Sequence, residues 1–114
     1  MDDCLFCKMV NDTIAVPKVF EDDKVIVIRD INPQAPQHLL AIPREHYVGI
    51  HHIPQDQHSL FQALFNAIRT VVIKEGIADR GYRLVINSGS SAGQSVDHIH
   101  VHILSGRTMH WPPG

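Results

Sequence analysis

The side chains best placed for chemistry are His98, His100 and His102, which alternate with Ile99, Val101 and Ile103. An extended strand sends successive side chains to opposite faces, so the three histidines share one face and the three β-branched residues the other. The apolar face suits a packed core, which leaves the imidazoles as an open row on the solvent or ligand side. Imidazole serves as a nucleophile, as an acid or base near neutral pH, and as a metal ligand. Successive histidines would stand about 7 Å apart, too far for all three to chelate one ion unaided, though a His-x-His pair can do so. The preceding loop, Gly93-Gln94-Ser95, offers backbone N–H groups, an amide and a hydroxyl that can wrap an anion such as a phosphate. A phosphate held there would lie beside His98 or His100, which points to in-line attack by a ring nitrogen and a phospho-histidine intermediate. Without a metal, the developing charge would be met by N–H groups and the other imidazoles.

The second constellation is Cys4 and Cys7, the only cysteines. They are too close to staple a fold, and in a reducing compartment the spacing suggests a metal site or a redox pair.

The elements that must position these groups follow from pattern. Cys4 to Val10 reads as a short helix, Val19 to Glu21 and Lys24 to Asp30 as a hairpin turned at Asp22-Asp23, and His38 to Pro43 as a third strand. Pro54 to Glu75 is the long helix, with Phe61, Leu64, Phe65, Ile68 and Val72 as its apolar stripe. Tyr82 to Asn87 and Val96 to Leu104 are the fourth and fifth strands, and Arg44 to Ile53 shows no period. The expected architecture is α+β: a five-stranded antiparallel sheet with one long and one short helix, in one domain spanning residues 1–114. A net charge of −2 gives no reason to expect a nucleic-acid partner. No apolar run has membrane-spanning length, so no membrane partner is expected either. The start, Met1-Asp2-Asp3, is acidic and lacks a secretory pattern, so the expected location is cytoplasmic.

The run His98-Ile99-His100-Val101-His102-Ile103-Leu104 resembles the defining motif of the histidine-triad (HIT) nucleotide-binding family, and fills every slot of it. The likeness extends through Phe20-Glu21-Asp22-Asp23, Asp30 to Pro36, His38 to Pro43 and Gly93-Gln94-Ser95-Val96. The ending His110-Trp111-Pro112-Pro113-Gly114 is similar to that of the family's purine nucleoside phosphoramidase branch. The resemblance implies a hydrolase that cuts the P–N bond of AMP or GMP phosphoramidates, and a homodimer whose sheets join into one. By position it implies His100 as nucleophile, His102 as phosphate contact, His38 as support for the nucleophile, and Ser95 beside the bridging atom. Asn87, Gly93 and Gln94 would line the phosphate site, Asp30 and Ile31 the ribose and base pocket, and Trp111 would reach toward the partner subunit's site. Some members hold zinc through a Cys-x-x-Cys and two histidines. Cys4, Cys7, His46 and His98 match those ligands, a set suited to a closed structural site, and no cofactor is implied for catalysis. Asp97 departs from the pattern, since an aromatic or apolar residue usually precedes the triad; by alternation it points away from the histidine face.

Other readings stand beside these. The row could ligate a catalytic metal, although no acidic residue belongs to it on the strand. The chain could be a nucleotide-binding signalling module with little turnover, or a dinucleoside polyphosphate hydrolase, against which the Trp111-Pro112-Pro113-Gly114 tail argues. Ser95 and Asn87 could be plain loop hydrogen-bonders and Asp30 a strand-end turn residue. Trp111 could merely anchor the C-terminus, and Cys4 and Cys7 could be thiols without a metal. His51, His52 and His58 read as solvated surface residues.

Overall fold

The computed structural model describes residues 3–114; Met1 and Asp2, part of the acidic start noted above, lie outside the described residues. The elements are α1 (Leu5–Val10), β1 (Phe20–Glu21), β2 (Val25–Arg29), β3 (Gln37–Pro43), α2 (His58–Lys74), β4 (Arg83–Val85) and β5 (Val101–Ser105). The strands form one antiparallel sheet in the order β1-β2-β3-β5-β4, which is the α+β architecture expected. Asp22 turns the first hairpin: its Oδ1 accepts the N–H groups of Lys24 and Val25, each at 2.8 Å.

The central strands are apolar on both faces because both faces are covered. Val25 and Val27, with Leu39, Ala41, Val101 and Ile103, pack beneath Leu64, Ala67, Ile68, Val71 and Val72 of α2. Ile26 and Ile28, with Leu40 and Ile42, pack under Phe6 of α1. The histidines belong to this second face, opposite α2.

Three local expectations change. First, α2 starts at His58 and not at Pro54, because the Pro54 carbonyl accepts the Gln57 N–H in a separate turn. The helix stops where Gly76 takes φ +71°, and the N–H groups of Ile77 and Ala78 both reach the Val72 carbonyl. Second, Phe65 is not core: it is 54% exposed. The buried arc of α2 runs through Leu60, Leu64, Ala67, Ile68, Val71 and Val72, and Phe65, one step of about 100° beyond Leu64, falls off it. Third, the last strand begins at Val101 and not at Val96. Ala41 pairs with Val101, so continuing the ladder would set Ile99 opposite Pro43, which has no N–H to give. The Ile99 N–H goes to the Tyr47 carbonyl instead, at 2.8 Å.

Candidate active site

Although only His102 lies in the β5 ladder, the alternation of faces persists upstream of it. Ile99 packs with Ile53 and Leu60, while His98 and His100 turn to the α1 side, where Phe6 stands edge-on to both rings. The row is not open, as sequence suggested: His98 is 0% and His100 3% exposed, and only His102 is half-buried. The covering helix α1 is contributed by residues some ninety positions away, so local periodicity could not reveal it.

Burial makes the hydrogen bonds decisive for where each proton sits. His100 Nδ1 lies 2.8 Å from the carbonyl oxygen of His98, so Nδ1 carries the proton and Nε2 the lone pair. His98 Nε2 lies 2.7 Å from the carbonyl of Pro43, which reverses the assignment there: Nε2–H donates and Nδ1 is free to ligate. Gln34 donates its backbone N–H to His38 Nδ1 at 3.0 Å, so neutral His38 carries its proton on Nε2. That nitrogen is 2.9 Å from His102 Nδ1, which accepts, leaving His102 with Nε2–H as a donor. Asp30 Oδ2 stands 3.4 Å from the same His38 nitrogen. Burial, aided by neighbouring His100 and His38 and opposed by Asp30, holds His102 down to about 4. Burial likewise lowers His38 against the pull of Asp30. At neutral pH this pair is therefore uncharged.

In front of these rings lies a cavity of about 160 Å³ lined by Ser95, His100, His102, Asp30 and Ile31, with Leu5, Phe6, Met9, Val16, Ile28, Leu40 and Val96 as an apolar wall. It brings together Ser95, His100, His102, Asp30 and Ile31 of the residues singled out by sequence, while His38, Asn87, Gly93, Gln94 and Trp111 do not line it. The wall supplied by α1 and Val16 was missed: the apolar spacing in α1 was visible, but not which cavity it closes. Ile31 is 94% exposed at the rim. Gly93 takes φ +92° at the end of the 3₁₀ turn Ser90–Ala92. Gln94 is buried, and its side chain is committed within the chain: Oε1 accepts the Gly89 N–H at 2.8 Å, while Nε2 donates to the carbonyls of Val48 and Val96. It ties the loop and does not face the cavity. Asn87 lies two residues past Val85, the ladder partner of His102, and is half-buried. Trp111 is 83% exposed and does not line this cavity. His51, His52 and His58 are exposed, as expected; Asp97, set by alternation on the face away from the histidines, is exposed as well. A larger cleft of about 690 Å³, between Arg80–Arg83 and Gly106–Met109, holds no histidine, cysteine or acid.

Cys4, Cys7, His46 and His98 converge at the other side of His98, with all four ligand atoms within 4.8 Å of one another. Cys4 Sγ and Cys7 Sγ lie 3.4 and 3.5 Å from His98 Nδ1. Cys7 Sγ lies 3.3 Å from His46 Nδ1, and the two Nδ1 atoms are 3.1 Å apart. A tetrahedral zinc with N and S ligands at roughly 2.0–2.3 Å spaces those ligands about 3.3–3.8 Å apart, so the set fits the ion in geometry and in donor chemistry. Cys4 also caps α1, accepting the Cys7 N–H at 3.4 Å, which presents both sulfurs from one helical turn. Burial, with Cys4 beside it, pushes the Cys7 thiol up to about 11, a penalty that a divalent cation would reverse. Burial pushes His98 down to about 4, which keeps its ligating nitrogen unprotonated.

Residues 12–109 match the family model described as the HIT domain. The chain is 45% identical to a 14 kDa zinc-binding protein of Zea mays, covering 96% of this chain and 87% of that one. It is 43% identical to a protein of Arabidopsis thaliana named adenylylsulfatase HINT1, covering 96% of this chain and 76% of the other. The crystal structure of a HIT family hydrolase from Legionella pneumophila superposes with a TM-score of 0.93 at 45% identity, covering 98% of this chain and all of that one. With its triad, its sheet and these relatives in agreement, the chain belongs to the histidine-triad (HIT) family.

Proposed function

We propose that this protein is a nucleotide hydrolase that cleaves the P–N bond of purine nucleoside phosphoramidates through a nucleotidyl-histidine on His100. The observation that carries the reading is the His100 Nδ1–H bond to the His98 carbonyl, which leaves Nε2 as a lone pair in a ring that lines the cavity. Attack by Nε2 forms a P–N bond to the ring as the substrate's P–N bond breaks, and the nitrogen leaves as the amine with a proton drawn from solvent through the Ser95 hydroxyl. The positive charge that develops on the ring is met at Nδ1–H by that same carbonyl. His102 Nε2–H donates to the phosphoryl oxygens, and Ser95 Oγ–H helps the leaving nitrogen. Water then attacks phosphorus and releases a proton to solvent, the ring nitrogen leaves with its lone pair restored, and AMP departs. Asp30 and Ile31 take the ribose and the apolar wall takes the base; Gly93 and Asn87 lie on the phosphate side by the family resemblance.

Cys4, Cys7, His46 and His98 would hold a zinc that supplies structure only, tying α1 to the sheet; a relative named a zinc-binding protein supports metal binding at this cluster. The protein works as a homodimer in the cytoplasm, with Trp111 shaping the leaving-group side of the partner's site. Among the described residues no helix is long and apolar enough to cross a membrane. A second reading keeps the same nucleotidyl-histidine but takes sulfate as leaving group; the relative named an adenylylsulfatase favours it.

The test is AMP release from adenosine 5′-phosphoramidate and from adenosine 5′-phosphosulfate, by wild type and His100→Ala, each with excess EDTA. Amide turnover by wild type only, with chelator present, is expected. Loss of turnover in EDTA while the fold survives would move the metal into the chemistry. Turnover of the phosphosulfate alone would select the second reading.

A further inference from the structure

We infer that Arg107 is a positioning residue for His38, acting through the main chain of Gln34. The inference rests on the nucleotidyl-histidine reading above and deepens it. Arg107 lies just past β5, outside the cavity in front of His100. Its Nε donates to the Gln34 carbonyl at 2.9 Å and its Nη1 to the Thr108 carbonyl at 3.2 Å. Among the described residues it has no acidic partner. Its charge is thus spent on two backbone oxygens, one in its own turn and one in the loop between β2 and β3.

That loop carries the proton assignment of the site. Gln34 presents its N–H to His38 Nδ1 and its carbonyl to Arg107, so the guanidinium and the imidazole grip one residue from two sides. The ladder reaches into this loop only as far as Asp30, whose N–H meets the His38 carbonyl at 2.9 Å; beyond it Gln34 is exposed, with its side-chain amide on the Asn32 carbonyl at 3.0 Å. A second contact comes from the neighbouring residue. Gly106, at φ +100°, presses on Pro36 so closely that a Cβ there would stand 2.8 Å from the Pro36 Cβ. The turn after β5 therefore clamps both ends of the segment that aims the Gln34 N–H.

The consequence runs inward along one chain of bonds. With Gln34 held, His38 Nδ1 accepts, Nε2–H donates to His102 Nδ1, and His102 keeps Nε2–H for the phosphate. With Gln34 released, His38 Nδ1 can take the proton instead, Nε2 becomes an acceptor, and the bond to His102 loses its donor. Arg107 touches neither substrate nor reacting atoms. It acts on which nitrogen of His38 holds hydrogen.

The experiment pairs ring spectroscopy with kinetics on Arg107→Met and Arg107→Lys, using the full chain and adenosine 5′-phosphoramidate. Long-range ¹H–¹⁵N spectra read the His38 tautomer without substrate. In wild type His38 is expected as the Nε2–H form. In Arg107→Met it becomes a mixture, kcat falls about tenfold, the low end of what removing the orienting partner of a metal-bound histidine costs, and KM hardly moves. Arg107→Lys, which keeps one donor for the Gln34 carbonyl, restores most of both. Arg107 is exposed, so the variants are expected to fold, and a thermal melt checks this. An unchanged His38 spectrum in Arg107→Met overturns the inference, whether or not kcat falls. So does a shifted tautomer with unaltered kcat. If wild type releases no AMP, the functional reading fails on its own terms, and the spectra still decide what Arg107 does to His38.

Discussion

His98 serves two neighbours through different parts of itself: its carbonyl oxygen accepts the Nδ1–H of His100 at 2.8 Å, while its ring turns Nδ1 toward Cys4 and Cys7. The candidate metal centre and the candidate nucleophile therefore share one residue without sharing an atom. A metal fixing the His98 ring also fixes the backbone from which His100 hangs.

Cys7→Ser is expected to lose one equivalent of zinc per chain, counted by elemental analysis of the purified protein. Because such a site contributes folding free energy directly, the melting temperature falls by roughly 10 °C, and chelator has no further effect on the variant. The folded fraction still releases AMP. An equal melting temperature with and without chelator in wild type would rule out a structural metal here.

Stability depends on pH through His102 and His38. His102 is held down to about 4 from its ordinary 6.5, and His38 is lowered in the same direction. Above pH 6.5 both rings are neutral in the folded and unfolded chain, so they add no pH dependence. As pH falls from 6.5 toward 4, the unfolded chain takes up protons that the folded one refuses, and stability drops; below 4 the share due to His102 levels off. Urea titrations across this window are expected to show a shallower fall in His102→Gln. An identical slope in that variant would remove His102 from the account.

Leu64 sits at 1% exposure between α2 and the sheet. Leu64→Ala deletes its contacts on both sides and should cost about 2–5 kcal/mol in chemical denaturation, depending on how far the cavity collapses. A loss below ~1 kcal/mol would mean that α2 is not packed as described.

Strand β4 ends the sheet, and Leu84, facing the same side as its partner Ile103, is 37% exposed beside Tyr82 and Ile86. An unpaired apolar edge is where a second copy would add its own sheet. Sedimentation is expected to give twice the 12.8 kDa chain mass for wild type and the single mass for Leu84→Lys. A single-chain mass for wild type would exclude the homodimer.

Much of this was legible in residue order, because strands and helices write short periods into sequence. The alternation of His98 to Ile103, the β-branched run Val25 to Ile28 and the paired Cys4 and Cys7 each announced a face or a cluster before any fold was known. What contiguous pattern could not carry was the covering of one element by another. Phe6 closing over His98 and His100, Gln94 spending its amide on loop ties, and Phe65 lying off the buried arc all depend on segments far apart in the chain. Residue order alone says which residue types share a face and so which chemistry is possible. Which nitrogen of each histidine bears the proton follows from the assembled fold alone. That choice is made by carbonyls and N–H groups of Pro43, His98 and Gln34, backbone atoms that every residue possesses and that no residue type records.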